Sequence, residues 1–183
     1  GRLRESRICA QMANGIVITK CPPDLENTEM DIIKEEVRKY SGADIYFSKI
    51  EYQLPISFRN QETLPNKSKI IGFAGLANDT IFKRHLAEQY DLLYYQSFSD
   101  HHDYKVSHIE MIGKKLSDYE DQQVSIVTTE KDMVKLLDNT FLDHITSLPF
   151  YYLPIKHEFI QDGNVFDKLI FQSIKNYSNQ AFT

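Results

Sequence analysis

Cysteine is scarce in this 183-residue sequence, which contains only Cys9 and Cys21. Two cysteines at this spacing indicate neither a disulfide framework nor a zinc site, so a reducing compartment is the simpler expectation. No apolar run approaches the roughly 20 residues of a membrane-spanning helix, and no signal-peptide pattern is present. We therefore expect this stretch of chain to be soluble and to lie on the cytoplasmic side.

A concentrated basic region is missing as well. The net charge is −5, from 21 Lys and Arg against 26 Asp and Glu, and the positive charges are dispersed along the chain. This distribution argues against nucleic acid as the main partner. It is compatible with a small phosphate ligand, so a nucleotide stays among the candidates.

The hydrophobic content is ample for a folded core. Hydrophobic residues make up 42% of the chain and aromatic residues 12%, which suffices for one compact domain or two small ones. Apolar runs alternate with amphipathic stretches, a pattern typical of α/β proteins. The sequence therefore predicts the α/β fold class.

The first 50 residues predict a strand–helix–strand unit. Residues 15–19 and 45–47 are short apolar strand candidates, and residues 28–40 between them place Met30, Ile33 and Val37 at helical spacing. The chain from 46 to 58 is extended and aromatic, and the polar stretch 59–69 that follows indicates a linker.

The middle of the chain predicts a second and larger unit. Strands are expected at 69–74, 91–96 and 124–128, with helices at 78–90 and 107–119 between them, which makes a doubly wound core. Residues 150–155 are extended and aromatic, and 165–177 are helical. We expect the two aromatic segments to pair as a hinge. The predicted division is then 1–50 with 158–183, a hinge or linker at 51–69 and 149–157, and a smaller α/β domain at 70–148.

Ligands of doubly wound sheets bind beyond the carboxyl ends of the strands, so the loops at 74–78, 98–104 and 128–132 are the candidates for chemistry. The second loop is the densest, because Asp100, His101, His102, Asp103 and Tyr104 follow one another. Imidazole titrates near neutrality, and an adjacent carboxylate can fix its tautomer and raise its basicity, which suits proton transfer from a hydroxyl nucleophile. The alternative is a capping aspartate followed by solvated histidines.

The loop at 128–132 is a weaker candidate for nucleotide binding. Thr129, Glu130 and Lys131 combine a hydroxyl, a carboxylate and a cation at a strand-to-helix turn, where free amides favour anions. The alternative is a plain helix start with threonine at the cap and glutamate in the first turn. Thr19 and Lys20 follow a predicted strand and are a similar candidate, with a polar strand terminus as the alternative.

The amino-terminal residues Arg4 and Glu5 are a further candidate. Arginine suits bidentate contacts to phosphate, although an exposed charge run at a chain end is the default interpretation. No cluster in the sequence predicts a protein-held metal site.

Five motifs in this order resemble the tetraacyldisaccharide 4′-kinase family of lipid A synthesis. They are GRLRE at 1–5, IVITK at 16–20, FAGLAN at 73–78, FSDHHDY at 98–104 and VTTEKD at 127–132. The order and spacing are more specific than any single motif, and the resemblance spans nearly the whole chain.

The resemblance implies an ATP-dependent kinase that phosphorylates the 4′-hydroxyl of a tetraacyldisaccharide 1-phosphate with ATP and Mg²⁺. It implies a P-loop kinase domain of three-layer α/β/α type joined by a two-stranded hinge to a smaller domain. Asp100 and His101 would reach ATP from the smaller domain, and Arg4 and Glu5 would lie in the active-site cleft. The parent protein would work at the cytoplasmic face of the bacterial inner membrane through a membrane-facing amino-terminal region.

The chain departs from the family in one large respect. It contains neither a G-x-x-x-x-G-K-[ST] phosphate-binding loop nor the paired aspartates that the family uses near its metal, and it begins at Gly1 without an initiator methionine. We therefore expect those parts to precede it, and we expect this chain alone to be inactive. Two other classes stay open: a metal-dependent phosphoesterase of the Asp-His-His type, and a non-catalytic α/β interaction module.

Overall fold

The structure is a computed structural model that describes residues 5–119, 122–138 and 140–180. The chain divides into two compact units, one formed by Gly1–Glu51 with Lys156–Thr183 and the other by Tyr52–Ile155. The two units are described in turn below.

The first unit contains the strand–helix–strand element that the sequence predicts. A 3₁₀ helix at Arg7–Met12 precedes strand β1 (Gly15–Cys21), helix α1 (Asn27–Arg38) and strand β2 (Asp44–Tyr52), and β1 and β2 pair in parallel. Glu26 and Glu29 form a capping box that starts α1, because each side chain accepts a hydrogen bond from the backbone amide of the other. Met30 of α1 and Phe47 of β2 are buried together in the core of this unit.

The carboxyl-terminal part of the chain completes this unit. Strand β8 (Ile155–Phe159) lies on the other side of β2, which gives the order β1–β2–β8, and helix α6 (Gly163–Gln180) follows. The sequence predicts α6 correctly, but the extended segment that it predicts ends at residue 155, so most of β8 was missed and its first residue was assigned to the preceding strand. Pro154 separates the two, since proline has no amide proton to continue a hydrogen-bond ladder.

The second unit is built on a mixed sheet with the order β3–β7–β6–β4–β5. Strands β4 (Lys69–Gly75), β5 (Asp91–Phe98), β6 (Val124–Thr129) and β7 (Phe150–Leu153) run in parallel, and the short β3 (Ile56–Ser57) is antiparallel to β7. Helices α2 (Thr80–Gln89), α3 (Val106–Ser117), α4 (Glu130–Leu136) and α5 (Leu142–Ser147) connect the strands. The predicted strands at 69–74, 91–96 and 124–128 are therefore confirmed.

Helices cover both faces of this sheet. Phe73 and Ile126 pack with α3 and α5, whereas their neighbours Ala74 and Val127 pack with α2 on the opposite face. Side chains alternate between the faces of a strand, so a strand buried on both faces is almost continuously apolar. This arrangement gives the unit three layers and confirms the α/β class.

Two segments differ from the sequence predictions for physical reasons. Leu64 lies in the stretch that was expected to be a polar linker, yet it is buried in the core of the second unit. Helix α5 is six residues long, which is too short for helical periodicity to reveal. The hinge role expected for the segments around residues 53 and 154 stays a prediction, although Gln53 N donates to Pro154 O at 3.0 Å.

Candidate functional site

The three candidate loops of the second unit meet at one edge of the sheet, as parallel strands require. The amide of Gly75 donates to Asp132 Oδ2 at 2.9 Å and thus joins the ends of β4 and β6. Lys131 Nζ lies 2.6 Å from Asp100 Oδ1 and joins the start of α4 to the loop after β5. The polar groups at 98–104 and 128–132 therefore form one site.

A buried carboxylate organises this edge. Asp132 is 0% exposed, and its Oδ2 accepts hydrogen bonds from the Gly75 amide and from the Thr129 hydroxyl, the latter at 2.7 Å. The Thr129 hydroxyl in turn accepts from the Asp132 amide at 3.0 Å, which caps α4. Asp132 was not among the predicted site residues. Its signal in the sequence is the T-x-x-D spacing of a helix cap, with aspartate in place of the usual glutamate.

Gly75 is required here by close approach. A methyl group in place of its hydrogen would lie 3.0 Å from Asp132 Oδ1 and 3.2 Å from Tyr104 Oη. Burial, and then the charge of Asp132, raise the pKa of the Tyr104 phenol far above its ordinary value. Tyr104 is therefore a neutral, buried wall of the site.

Asp100 is held as an anion on the other side of the site. The Lys131 ammonium donates to its Oδ1 and lowers the pKa of the carboxyl, and the His101 amide donates to the same oxygen at 2.9 Å. Asp100 Oδ2 lies 3.7 Å from His101 Nε2, which is beyond hydrogen-bond distance. The expectation that this carboxylate fixes the imidazole tautomer thus differs from the geometry, in which Asp100 holds the His101 backbone instead.

His101 combines an exposed side chain with an unusual backbone conformation. Its side chain is 82% exposed, and its φ angle is 54°, in the left-handed region that residues other than glycine rarely adopt. Such conformations cost free energy and persist only where the surroundings impose them, often at functional sites. The imidazole is available to a ligand.

His102 has a different environment from its neighbour. Its ring packs against Phe98 with centroids 4.5 Å apart, and its Nε2 lies 3.1 Å from His108 Nδ1. The Lys105 amide also donates to His108 Nδ1, so that nitrogen carries no proton and His102 Nε2 is the donor. Burial, followed by the charges of His108 and Lys135, lowers the pKa of His102. His102 supports the loop as a neutral ring.

The description of the matching family model is Tetraacyldisaccharide-1-P 4′-kinase, and the match covers residues 1–175. The chain belongs to this family. The tetraacyldisaccharide 4′-kinases of Flavobacterium johnsoniae and Flavobacterium psychrophilum are 33% and 34% identical to it over 179 and 183 residues. Each of these alignments covers 96% of this chain and 49% of the relative, and the Bacteroides fragilis kinase is 30% identical over 88% of this chain and 46% of its own length.

The chain therefore spans about half the length of the curated kinases that it matches. The crystal structure of LpxK from Aquifex aeolicus in complex with ATP is similar over 94% of this chain and 46% of that chain, with 20% identity and a TM-score of 0.53. At this identity the likeness concerns the fold. It agrees with the α/β architecture of this member of the kinase family.

The other residues singled out in the sequence have less distinctive surroundings. Glu5 is exposed, and Arg4 lies outside the described residues. Thr19 and Lys20 lie within β1, at a register shift where Lys20 has φ 59°, and therefore do not follow the strand as expected. Glu130 is exposed in the first turn of α4, which together with the Thr129 cap matches the plain helix start that the sequence left open.

In the described residues, the His, Cys, Asp and Glu side chains form no group of three that could hold a metal ion. No helix in residues 5–119, 122–138 or 140–180 is long and apolar enough to cross a membrane.

Proposed function

We propose that the protein to which this chain belongs transfers the γ-phosphoryl group of ATP to the 4′-hydroxyl of a tetraacyldisaccharide 1-phosphate. Membership of the kinase family supports this reaction. The observation that supports a role for particular residues is the Asp100–His101 pair at the strand ends, in which the Asp100 carboxylate is held by Lys131 and the His101 imidazole is exposed. ATP, the lipid disaccharide and the cytoplasmic face of the inner membrane are the proposed partners.

His101 is the proposed catalytic residue of this unit. Phosphoryl transfer depends mainly on positioning and charge stabilisation. In the proposed step the 4′-oxygen attacks the γ-phosphorus, its proton passes to a neutral imidazole nitrogen, and the bond to ADP breaks. A largely exposed imidazole at the carboxyl edge of a parallel sheet is suited to this task.

Asp100 is the proposed positioning partner of His101. It accepts hydrogen bonds from Lys131 Nζ and from the His101 amide through one oxygen, which fixes the backbone at the start of the loop. Lys131 therefore serves Asp100, and a direct contact of Lys131 with nucleotide is a second proposed role.

Six further residues remain predicted contributors to the active site: Arg4, Glu5, Thr19, Lys20, Thr129 and Glu130. Arg4 and Glu5 are the stronger of these, because a guanidinium suits phosphate contacts. Thr129 is a weaker candidate, because its hydroxyl already donates a hydrogen bond to the Asp132 carboxylate and accepts one from the Asp132 amide.

Replacing His101 by alanine in the full-length protein tests the proposal. We expect kcat to fall by about 100- to 10,000-fold, the range of general acid–base contributions, with the KM for ATP changed little. Activity is measured by transfer of labelled γ-phosphate to a tetraacyldisaccharide 1-phosphate. The control is His157→Ala, which removes an exposed histidine of β8 and should retain wild-type kcat.

Wild-type turnover in the His101→Ala protein would contradict the catalytic role. Absence of turnover in the wild-type full-length protein, together with hydrolysis of phosphodiesters in Mn²⁺, would favour the phosphoesterase alternative. The described residues give that alternative little support, because they lack a cluster of three metal ligands.

A further inference from the structure

Helix α4 contacts the loop of the proposed catalytic histidine at two points. Lys131 Nζ lies 2.6 Å from Asp100 Oδ1, and Lys135 Nζ donates to the backbone carbonyl of His102 at 2.8 Å. Asp100 and His102 are the residues immediately before and after His101. The two lysines thus hold the residues on either side of His101, and neither of these contacts involves the His101 side chain.

The spacing of the two lysines explains how one short helix can do this. Residues four apart lie on the same face of an α-helix, about one turn from each other. Lys131 and Lys135 have this spacing, and both ammonium groups point to the loop after β5. Between their two contact points the chain must turn sharply, and His101 makes the turn with φ 54°.

The Lys135 contact is part of a packed environment. Lys135 is half-buried, and its Nζ lies 5.8 Å from the centre of the Tyr104 ring, in cation–π range. Next to it, Asp132 ties α4 to β4 through the Gly75 amide, so the helix that carries the lysines is itself anchored. A hydrogen bond from a charged donor is about twice as strong as one between neutral groups, which suits a contact that must hold a strained turn.

We propose that Lys131 and Lys135 form a clamp that holds His101 in its left-handed conformation, and that Lys135 is thereby a positioning residue for phosphoryl transfer. The inference rests on the proposed role of His101. The clamp determines where the imidazole points. The turn also contains a backbone hydrogen bond from the His102 amide to Ser99 O at 3.1 Å. When the Lys135 bond is removed, we expect the His102 carbonyl to lose its charged donor and residue 101 to shift to negative φ, which takes the imidazole away from its proposed position.

Lys135→Met in the full-length kinase is the main test, because methionine keeps the length and apolar stem of lysine but cannot donate. We expect kcat to fall tenfold or more while the KM for ATP stays within twofold and the melting temperature stays close to that of the wild type. Lys135→Arg restores a charged donor and should recover most of kcat. The control, Lys114→Met, removes an exposed lysine of α3 and should leave both constants unchanged.

A crystal structure of the Lys135→Met protein supplies a second measurement that does not depend on activity. We expect residue 101 to leave the left-handed region in the variant and to keep it in Lys114→Met. If Lys135→Met does not fold, Lys131→Met breaks the other half of the clamp. The φ angle of residue 101 in its crystal structure is then the deciding measurement, because a loss of kcat in this variant also follows from the proposed contact of Lys131 with nucleotide.

The clamp is overturned if kcat is unchanged in Lys135→Met, if arginine gives no recovery, or if residue 101 keeps its φ in the variant structure. A fall in kcat accompanied by a clear fall in melting temperature would also overturn it, since that combination indicates a purely structural role for Lys135. Full activity of His101→Ala would contradict only the catalytic role of His101. The crystal structures would still decide whether the clamp exists.

Discussion

Asp132 has the least tolerant environment among the polar residues of the site. Its carboxylate is fully buried and accepts from one backbone amide and one hydroxyl. Removing an acceptor from a buried donor costs the desolvation free energy of that donor, since no water replaces the lost partner. Asp132 is therefore a structural residue of the edge at which Asp100 and His101 lie.

Asp132→Ala should lower the free energy of unfolding by about 1–3 kcal/mol, because the Gly75 amide and the Thr129 hydroxyl lose their acceptor. Denaturant unfolding of the full-length protein measures this. The matched control is Asp118→Ala, which removes an exposed carboxylate whose partner is Lys115 on the same helix, and its effect should be much smaller. Equal losses in the two variants would contradict the role given to Asp132.

At this scale the sequence predicts the site only in part. Asp100 and His101 stand out because two ionisable groups follow a strand end. Lys135 and Asp132 do not stand out, because each lies in a helix where a lysine or a capping acid is ordinary. Their partners, His102 and Gly75, are 33 and 57 residues away along the chain, and no local pattern records such pairs.

Among the secondary-structure elements, the packing of α2 on the sheet depends on a glycine. Gly72 lies in β4 between Leu86 of α2 and Tyr95 of β5, and a methyl group there would lie 2.7 Å from Leu86 Cδ1 and 2.9 Å from Tyr95 Cδ2. Leu86 is fully buried, so neither neighbour moves away without disturbing the core.

Gly72→Ala should therefore destabilise the protein by about 1–3 kcal/mol, the usual range for overpacking. Gly42→Ala is the comparison, because a methyl group at that position meets no atom within 4 Å and should leave stability unchanged or slightly raised. Thermal unfolding of both variants checks the difference. A Gly72→Ala protein as stable as wild type would show that Leu86 and Tyr95 can shift to accommodate the methyl group without loss of stability.

The elements themselves were largely predictable. Strands β4, β5 and β6 are apolar runs of strand length, and helices α1, α3 and α6 show helical periodicity, so local patterns suffice to find them. The division into β7 and β8 was missed, because the predicted extended segment ended at residue 155, although Pro154 is a local signal of a break. That the two strands pair in different sheets is a property of the tertiary structure alone.

At the scale of the whole chain, the 183 residues span about half the length of their curated relatives and contain no G-x-x-x-x-G-K-[ST] motif. The backbone amides of that motif cradle the phosphates of a nucleotide in P-loop proteins. We therefore predict that the 183 residues expressed alone bind ATP weakly and do not transfer its γ-phosphate. Calorimetric titration with Mg-ATP and the labelled-phosphate assay test this, with the full-length protein as the positive control. Turnover by the 183 residues alone would contradict it.

The sequence by itself determined the α/β class, the strand ends at which chemistry is expected, and the resemblance to the kinase family. These follow from apolar periodicity and from the order of short motifs, both of which are local properties of a chain. Only the tertiary structure decided which groups serve the Asp100–His101 pair. The orientation of α4 brings Lys131 and Lys135 to that loop, and His101 makes the left-handed turn between their two contact points. Asp132 anchors α4 to the end of β4, and all of these contacts join residues distant in sequence.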